Sequence, residues 1–135
     1  MTNALVAVTV VVREYDEAIE YFTNSLGFRL VEDSPLPGGK RWGMVAPEGS
    51  PSLRILLARA ATPAQENAVG NQTGGRVSFF LHTSEFQRTY QQMRERGVTF
   101  LEEPRTEPYG TVAVFADVYG NRWDLIEPRQ EGEVA

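Results

Sequence analysis

Two stretches of this chain answer each other at a fixed offset. Leu26-Gly27-Phe28-Arg29-Leu30-Val31-Glu32 parallels Arg96-Gly97-Val98-Thr99-Phe100-Leu101-Glu102, and the same offset of 70 sets Leu53-Arg54-Ile55-Leu56 against Trp123-Asp124-Leu125-Ile126. Internal repeats constrain a fold more than composition does, because the same local pattern must be built twice. Here each copy holds an amphipathic helix that ends at a glycine, followed by strand-like runs. Two modules of order βαβββ are therefore expected, each packing one helix against one curved sheet.

The elements can be placed along the chain. Leu5 to Val12 is rich in β-branched residues and reads as a strand. Ala18, Ile19, Tyr21, Phe22 and Leu26 recur at helical spacing, with Glu14, Asp16 and Glu17 in the first turn, where acids suit the helix dipole. Gly27 ends this helix. Strands follow at Phe28–Glu32, Arg41–Ala46 and Ser52–Ala58, separated by a loop at Ser34–Gly39 and the turn from Pro47 to Pro51. The second copy reads as a strand at Arg76–His82, a helix at Glu85–Arg96, and strands at Val98–Glu102, Thr111–Asp117 and Arg122–Glu127. Glu103–Pro108 is expected to be a loop, and the charged tail from Arg129 to fray. The boundaries are thus a single domain over 1–135, with module one at about 4–59, a linker at 60–75 and module two at about 76–128. The linker is polar and glycine-rich, with a short helix expected near Pro63 to Val69. It is either a plain connector or a loop that closes over a pocket.

Composition removes several classes of function. The net charge is −5, which disfavours nucleic acid and anionic membranes as partners. The apolar run from Ala4 to Val12 is too short to span a bilayer and has no basic residue before it, so it is a poor signal peptide. There are no cysteines, hence no thiol chemistry. A cytoplasmic protein is expected.

The segment from Val12 to Phe22, continuing into Leu26-Gly27-Phe28, resembles the first strand–helix–strand signature of the glyoxalase, bleomycin-resistance and extradiol-dioxygenase group, the vicinal oxygen chelate superfamily. The segment Phe115-Ala116-Asp117-Val118-Tyr119-Gly120-Asn121-Arg122-Trp123-Asp124-Leu125-Ile126-Glu127 resembles its closing hairpin. The resemblance runs from about Leu5 to Pro128. It implies an α+β fold in which the two βαβββ modules form an open β-barrel cavity with helices outside. It also implies a homodimer, as in the antibiotic-sequestering members. Metal-dependent members hold a divalent ion through histidines and carboxylates. Carried over, those positions fall at Ala7, Arg54, Ser78 (or Arg76, in another register) and Asp124. Of these only Asp124 is a good ligand, and with His82 as the one histidine a two-histidine, one-carboxylate site cannot be assembled in one chain. No cofactor and no metal are expected.

Strand alternation indicates what lines the cavity instead. Val8, Val10, Val12, Leu53, Ile55, Leu57, Val77, Phe79, Leu81, Trp123 and Leu125 form a uniformly apolar set, expected to face the helices. The opposite set is mixed: Thr9, Arg54, Arg76, Ser78, Phe80, His82, Arg122 and Asp124, with Trp42 as an aromatic wall and Tyr109 as a gate. Each candidate has a plainer role available. Arg54 and Asp124 either pair with each other or contact a ligand, His82 is a rim residue or a base, and Arg76 and Arg122 are solvated strand ends or ligand contacts. The set suits a small organic molecule with an anionic or hydrogen-bonding part. Metal-independent binding of such a molecule is the expected function. The alternative is a lyase, isomerase or dioxygenase of the same group using a weakly held divalent metal.

Overall fold

A computed structural model describes residues 1–50 and 52–130; Pro51, in the turn expected after Pro47, and most of the tail expected to fray lie outside them. The chain separates into two compact units, Met1–Gln72 and Thr73–Ala135.

In the first unit β1 (Ala7–Val12) leads into α1 (Tyr15–Glu20), then β2 (Arg29–Pro35), β3 (Arg41–Ala46) and β4 (Arg54–Arg59). The sheet order is β1-β4-β3-β2, with β1 parallel to β4 and the other pairs antiparallel. The helix is followed by one turn of π-helix, Tyr21–Ser25, where the Leu26 amide reaches back to the Tyr21 carbonyl at 3.1 Å. Gly27 then takes a positive φ of 73°, a conformation that costs glycine alone little. β2 runs on to Pro35, into the expected loop, before a 3₁₀ turn at Pro37–Gly39. α1 lies on β3 and β4. A Cβ built at Gly43 would stand 4.0 Å from the Ile19 side chain, so α1 seats closely over that strand. Val10, Val12, Ala18, Phe22, Val45, Ile55 and Leu57 fill the space between.

The segment between the modules holds the expected short helix. α2 (Pro63–Ala68) starts at Thr62, whose hydroxyl accepts the Gln65 amide at 3.2 Å, with proline at the first helical position. Gln72 then lies along the outer edge of β1. Its side-chain oxygen accepts the Val11 amide at 2.5 Å and its side-chain nitrogen donates to the Thr9 carbonyl at 3.0 Å.

The second unit repeats the plan. It comprises β5 (Val77–His82), α3 (Phe86–Glu95), β6 (Thr99–Phe100), β7 (Arg105–Glu107), β8 (Gly110–Ala116) and β9 (Arg122–Pro128). The order is β5-β9-β8-β6, β5 is parallel to β9, and β7 pairs with β8. The loop expected at Glu103–Pro108 is corrected by β7. Arg105, Thr106 and Glu107 pair with Val112, Thr111 and Gly110, and the two prolines flank the strand, where they remove no ladder donor. Gly97 matches Gly27 in place and in its positive φ of 88°. The Glu127 carboxylate caps α3 by accepting the Phe86 amide at 2.7 Å. The core is a run of aromatic contacts through Tyr90, Phe100, Phe115, Trp123 and Phe79, with centroids 4.5–5.7 Å apart. Trp123, expected in the core, is 2% exposed.

Candidate functional site

Partners in adjacent strands point to the same side of a sheet. In the first unit, Thr9, Leu56 and Met44 therefore form one row across β1, β4 and β3, and Val11 and Ala58 begin the next. These belong to the mixed set, opposite the face covered by α1. A cleft of about 520 Å³ opens at this end of the sheet. Thr9, Val11, Leu56 and Ala58 form its floor, Trp42 and Leu36 an apolar wall, and Ala61 and Gln65 a side supplied by the α2 segment. Trp42 is 40% exposed, a large apolar surface for a tryptophan to leave open to water.

The rim of the cleft is cationic. Arg41 and Arg59 both lie over the Tyr15 ring, 5.4 and 5.0 Å from its centre. Arg41 is committed to acids: it grips Asp33 through two hydrogen bonds of 3.1 and 2.7 Å and reaches Asp16 at 2.8 Å. The hydrogen bonds from Arg41 hold the Asp33 carboxyl below the usual carboxylate range. Arg59 stands 3.8 Å from Glu14. Lys40, also on the cleft, makes no ion pair among the described residues, and neither Glu nor Asp lines the cleft. A docking group meets a positive lining with apolar walls.

In the second unit the equivalent face is built around Asp124. The register sets Asp124 beside Phe80 on β5 and Val114 on β8. Asp124 is 8% exposed, and its Oδ1 has no hydrogen-bond partner. Burial raises its pKa, the Arg105 charge opposes that rise, and Glu102 adds to it. Arg105 is shared between Glu102 at 2.8 Å and Glu107 at 2.6 Å, with the Tyr109 hydroxyl at 3.4 Å.

The structure thus places Thr9 and Trp42 on the cleft, and Phe80 and Asp124 side by side. Tyr109 is tied to Arg105 beside Asp124. Arg54 is half-buried opposite Ala7 and does not line the cleft. Ser78 lies where the register between β5 and β9 shifts, 3.2 Å from the Thr73 hydroxyl. Arg76, His82 and Arg122 are exposed. Tyr15, Lys40, Arg59, Gln65 and Arg105 were not readable as site residues, because each reaches its place through the tertiary fold. The paired acids around Arg105 were the one local signal.

The donors do not fit a metal. Ala7 offers no donor atom, Arg54 is a cation, and Ser78 is a weak ligand already facing a hydroxyl. Among the described residues no group of three or more His, Cys, Asp or Glu side chains is placed to hold an ion.

Comparison with known proteins agrees with this architecture. The family model described as Glyoxalase/Bleomycin resistance protein/Dioxygenase superfamily matches residues 4–125. An uncharacterized protein of Shewanella frigidimarina is 47% identical, over 94% of this chain and 95% of its own length. Among solved structures, UcmS2 superposes with a TM-score of 0.82 at 30% identity, covering 94% of this chain and 99% of its own. TnmS3, an antibiotic binding protein from Streptomyces sp. CB03234, gives 0.77 at 28% identity, covering 96% and 99%. Matched in sequence over nearly its whole length and in fold by both units, the chain belongs to the glyoxalase/bleomycin resistance protein/dioxygenase superfamily.

Proposed function

We propose that this protein binds a small organic molecule without a metal, using the mixed sheet faces of its modules, which act as one domain. The cleft in the first unit carries the reading. Its volume of about 520 Å³ falls in the range of about 300–1,000 Å³ typical of ligand pockets. An aromatic wall at Trp42, a hydroxyl at Thr9, the carboxamide of Gln65 and the ammonium of Lys40 suit an apolar, flat molecule with an anionic or hydrogen-bond-accepting edge. The antibiotic-binding activity of the structural neighbour TnmS3 supports the same class of function. In this reading the working form is a cytoplasmic homodimer.

The test uses Trp42 as its own reporter. The second tryptophan, Trp123, is buried in the core, so emission changes on ligand addition belong to Trp42. Aromatic acids and glycopeptide-like compounds are titrated by thermal shift and tryptophan emission. At least one should raise Tm and change the emission, and Trp42→Ala should weaken it about tenfold, or ~1.4 kcal/mol. A broad set in which nothing stabilises the protein would reject the proposal.

A second reading, an enzyme of the lyase, isomerase or dioxygenase kind, is favoured by one observation: the unpartnered Oδ1 of Asp124, an acid available for proton transfer or a weak ion. A stoichiometric divalent metal in elemental analysis would put this reading first, and its absence would exclude the metal-dependent form.

A further inference from the structure

Asp124 sits at the middle of a row that crosses three strands of the second unit, β5, β9 and β8, and continues to Leu101, the residue after β6. Phe80 is its partner on β5 and Val114 its partner on β8, and the Leu101 amide donates to the Val114 carbonyl at 2.8 Å, which brings Leu101 alongside. Phe80 is 64% exposed and Leu101 49%. Two large apolar side chains are thus left open to water on either side of a buried carboxylate. Buried polar atoms are nearly always hydrogen-bonded, and one that is not calls for a reason.

The charges around it are unbalanced in one direction. Arg105 is the cation whose charge reaches Asp124, and it is already bonded to Glu102 and Glu107. Two carboxylates therefore hold this guanidinium, and Asp124 feels its charge without a bond to it. Arg122, two residues earlier on β9, is solvent-exposed, and His82 lies exposed at the end of β5. The nearest side chains on the row itself, Phe80 and Val114, carry no charge. A partner for the ionised carboxylate of Asp124 donates a hydrogen bond, and the local excess of negative charge favours one that is positive. Among the described residues no group of three or more His, Cys, Asp or Glu side chains is placed to hold a metal ion, so the cation considered for this carboxylate is an organic one.

We infer that the second unit carries a binding site for a protonated amine on an apolar framework, with Asp124 accepting the ammonium hydrogen bond and Phe80 and Leu101 flanking it. The geometry supplies both halves of such recognition: a charge-assisted hydrogen bond at a mostly desolvated carboxylate, and an aromatic face open to a cation. This site rests on the second unit alone and differs in charge preference from the Trp42 cleft, which favours anions.

The probes are 2-naphthylmethylamine hydrochloride and 2-naphthoate, matched in ring and opposite in charge. Each is titrated into the ¹⁵N-labelled full chain at neutral pH and followed by ¹H–¹⁵N correlation spectra. The amine should shift the amide signals of Phe80, Leu101, Val114 and Asp124, with an affinity at least tenfold above that of naphthoate at those residues. Asp124→Asn, which keeps the shape and removes the charge, should abolish that preference. Equal binding of the two probes at this row, or no shift there with the amine, overturns the site, as does amine binding that Asp124→Asn leaves unchanged. The comparison of two probes on the unaltered protein decides the question even if the variant does not fold. Shifts confined to the residues around Trp42 would sink this inference while leaving the proposed function standing; shifts at Asp124 without any at Trp42 would support this inference and leave the Trp42 cleft to its own compound screen.

Discussion

The carboxylate of Asp117 accepts four hydrogen bonds inside one turn. They come from the Tyr119 amide at 2.9 Å, the Asn121 amide at 3.0 Å, the Asn121 side chain at 3.0 Å and the Trp123 indole at 3.1 Å. Asp117, Asn121 and Trp123 are buried, so the turn between β8 and β9 and the placing of Trp123 depend on one side chain. Asp117 and the Gly120-Asn121 turn are accounted for by structure and need no ligand. Asp117→Ala strands several buried donors at about 1–3 kcal/mol each when unsatisfied, partly relieved by water. The expected loss is about 3 kcal/mol in urea unfolding, with Asp117→Asn losing less because it keeps one acceptor oxygen. A loss below about 1 kcal/mol for Asp117→Ala would mean that the turn is held by its backbone alone.

At the level of elements, some of the fold was legible and some was not, for a physical reason. β3 begins and ends where the sequence pattern puts it, at Arg41 and Ala46, and its last four residues are buried on both sides of the sheet. β7 escaped because Arg105-Thr106-Glu107 has no apolar period and prolines on both sides; it is extended only because β8 offers a ladder. The site divides in the same way. Thr9, Phe80 and Asp124 follow from alternation, whereas Lys40 and Gln65 reach the cleft on a turn and a short helix that no period reveals. Gln72 is a further example. Its carboxamide imitates a strand residue along β1, an edge strand whose open donors and acceptors would otherwise invite another chain. Gln72→Ala removes two hydrogen bonds, each worth about 0.5–1.5 kcal/mol net. A stability loss of about 1–2 kcal/mol is expected, together with concentration-dependent self-association in sedimentation that the parent chain does not share. An unchanged profile and stability would show that water serves the edge as well as Gln72 does.

Across the whole molecule, the repeat in sequence is a repeat in topology: β1 runs parallel to β4, as β5 does to β9, around the same helix-first connection. The two copies have diverged where chemistry would sit. The offset of 70 equates Arg54 with Asp124, a cation with a carboxylate, and the register opposes Ala7 to the first and Phe80 to the second. Neither unit offers two metal ligands on adjacent strands at these positions. A resident ion held at a hundred times its dissociation constant would stabilise the fold by about 2.7 kcal/mol, and stripping it would lower Tm by several degrees. The prediction is therefore that protein purified without chelator carries far less than one equivalent of any divalent metal, and that EDTA leaves Tm unchanged. Added zinc, nickel or manganese should likewise leave it unchanged, because Asp124 alone cannot outbid water for such ions. A stoichiometric metal, or a drop in Tm on chelation, would place the ligands elsewhere than these strands and move the protein to the enzymes of its superfamily.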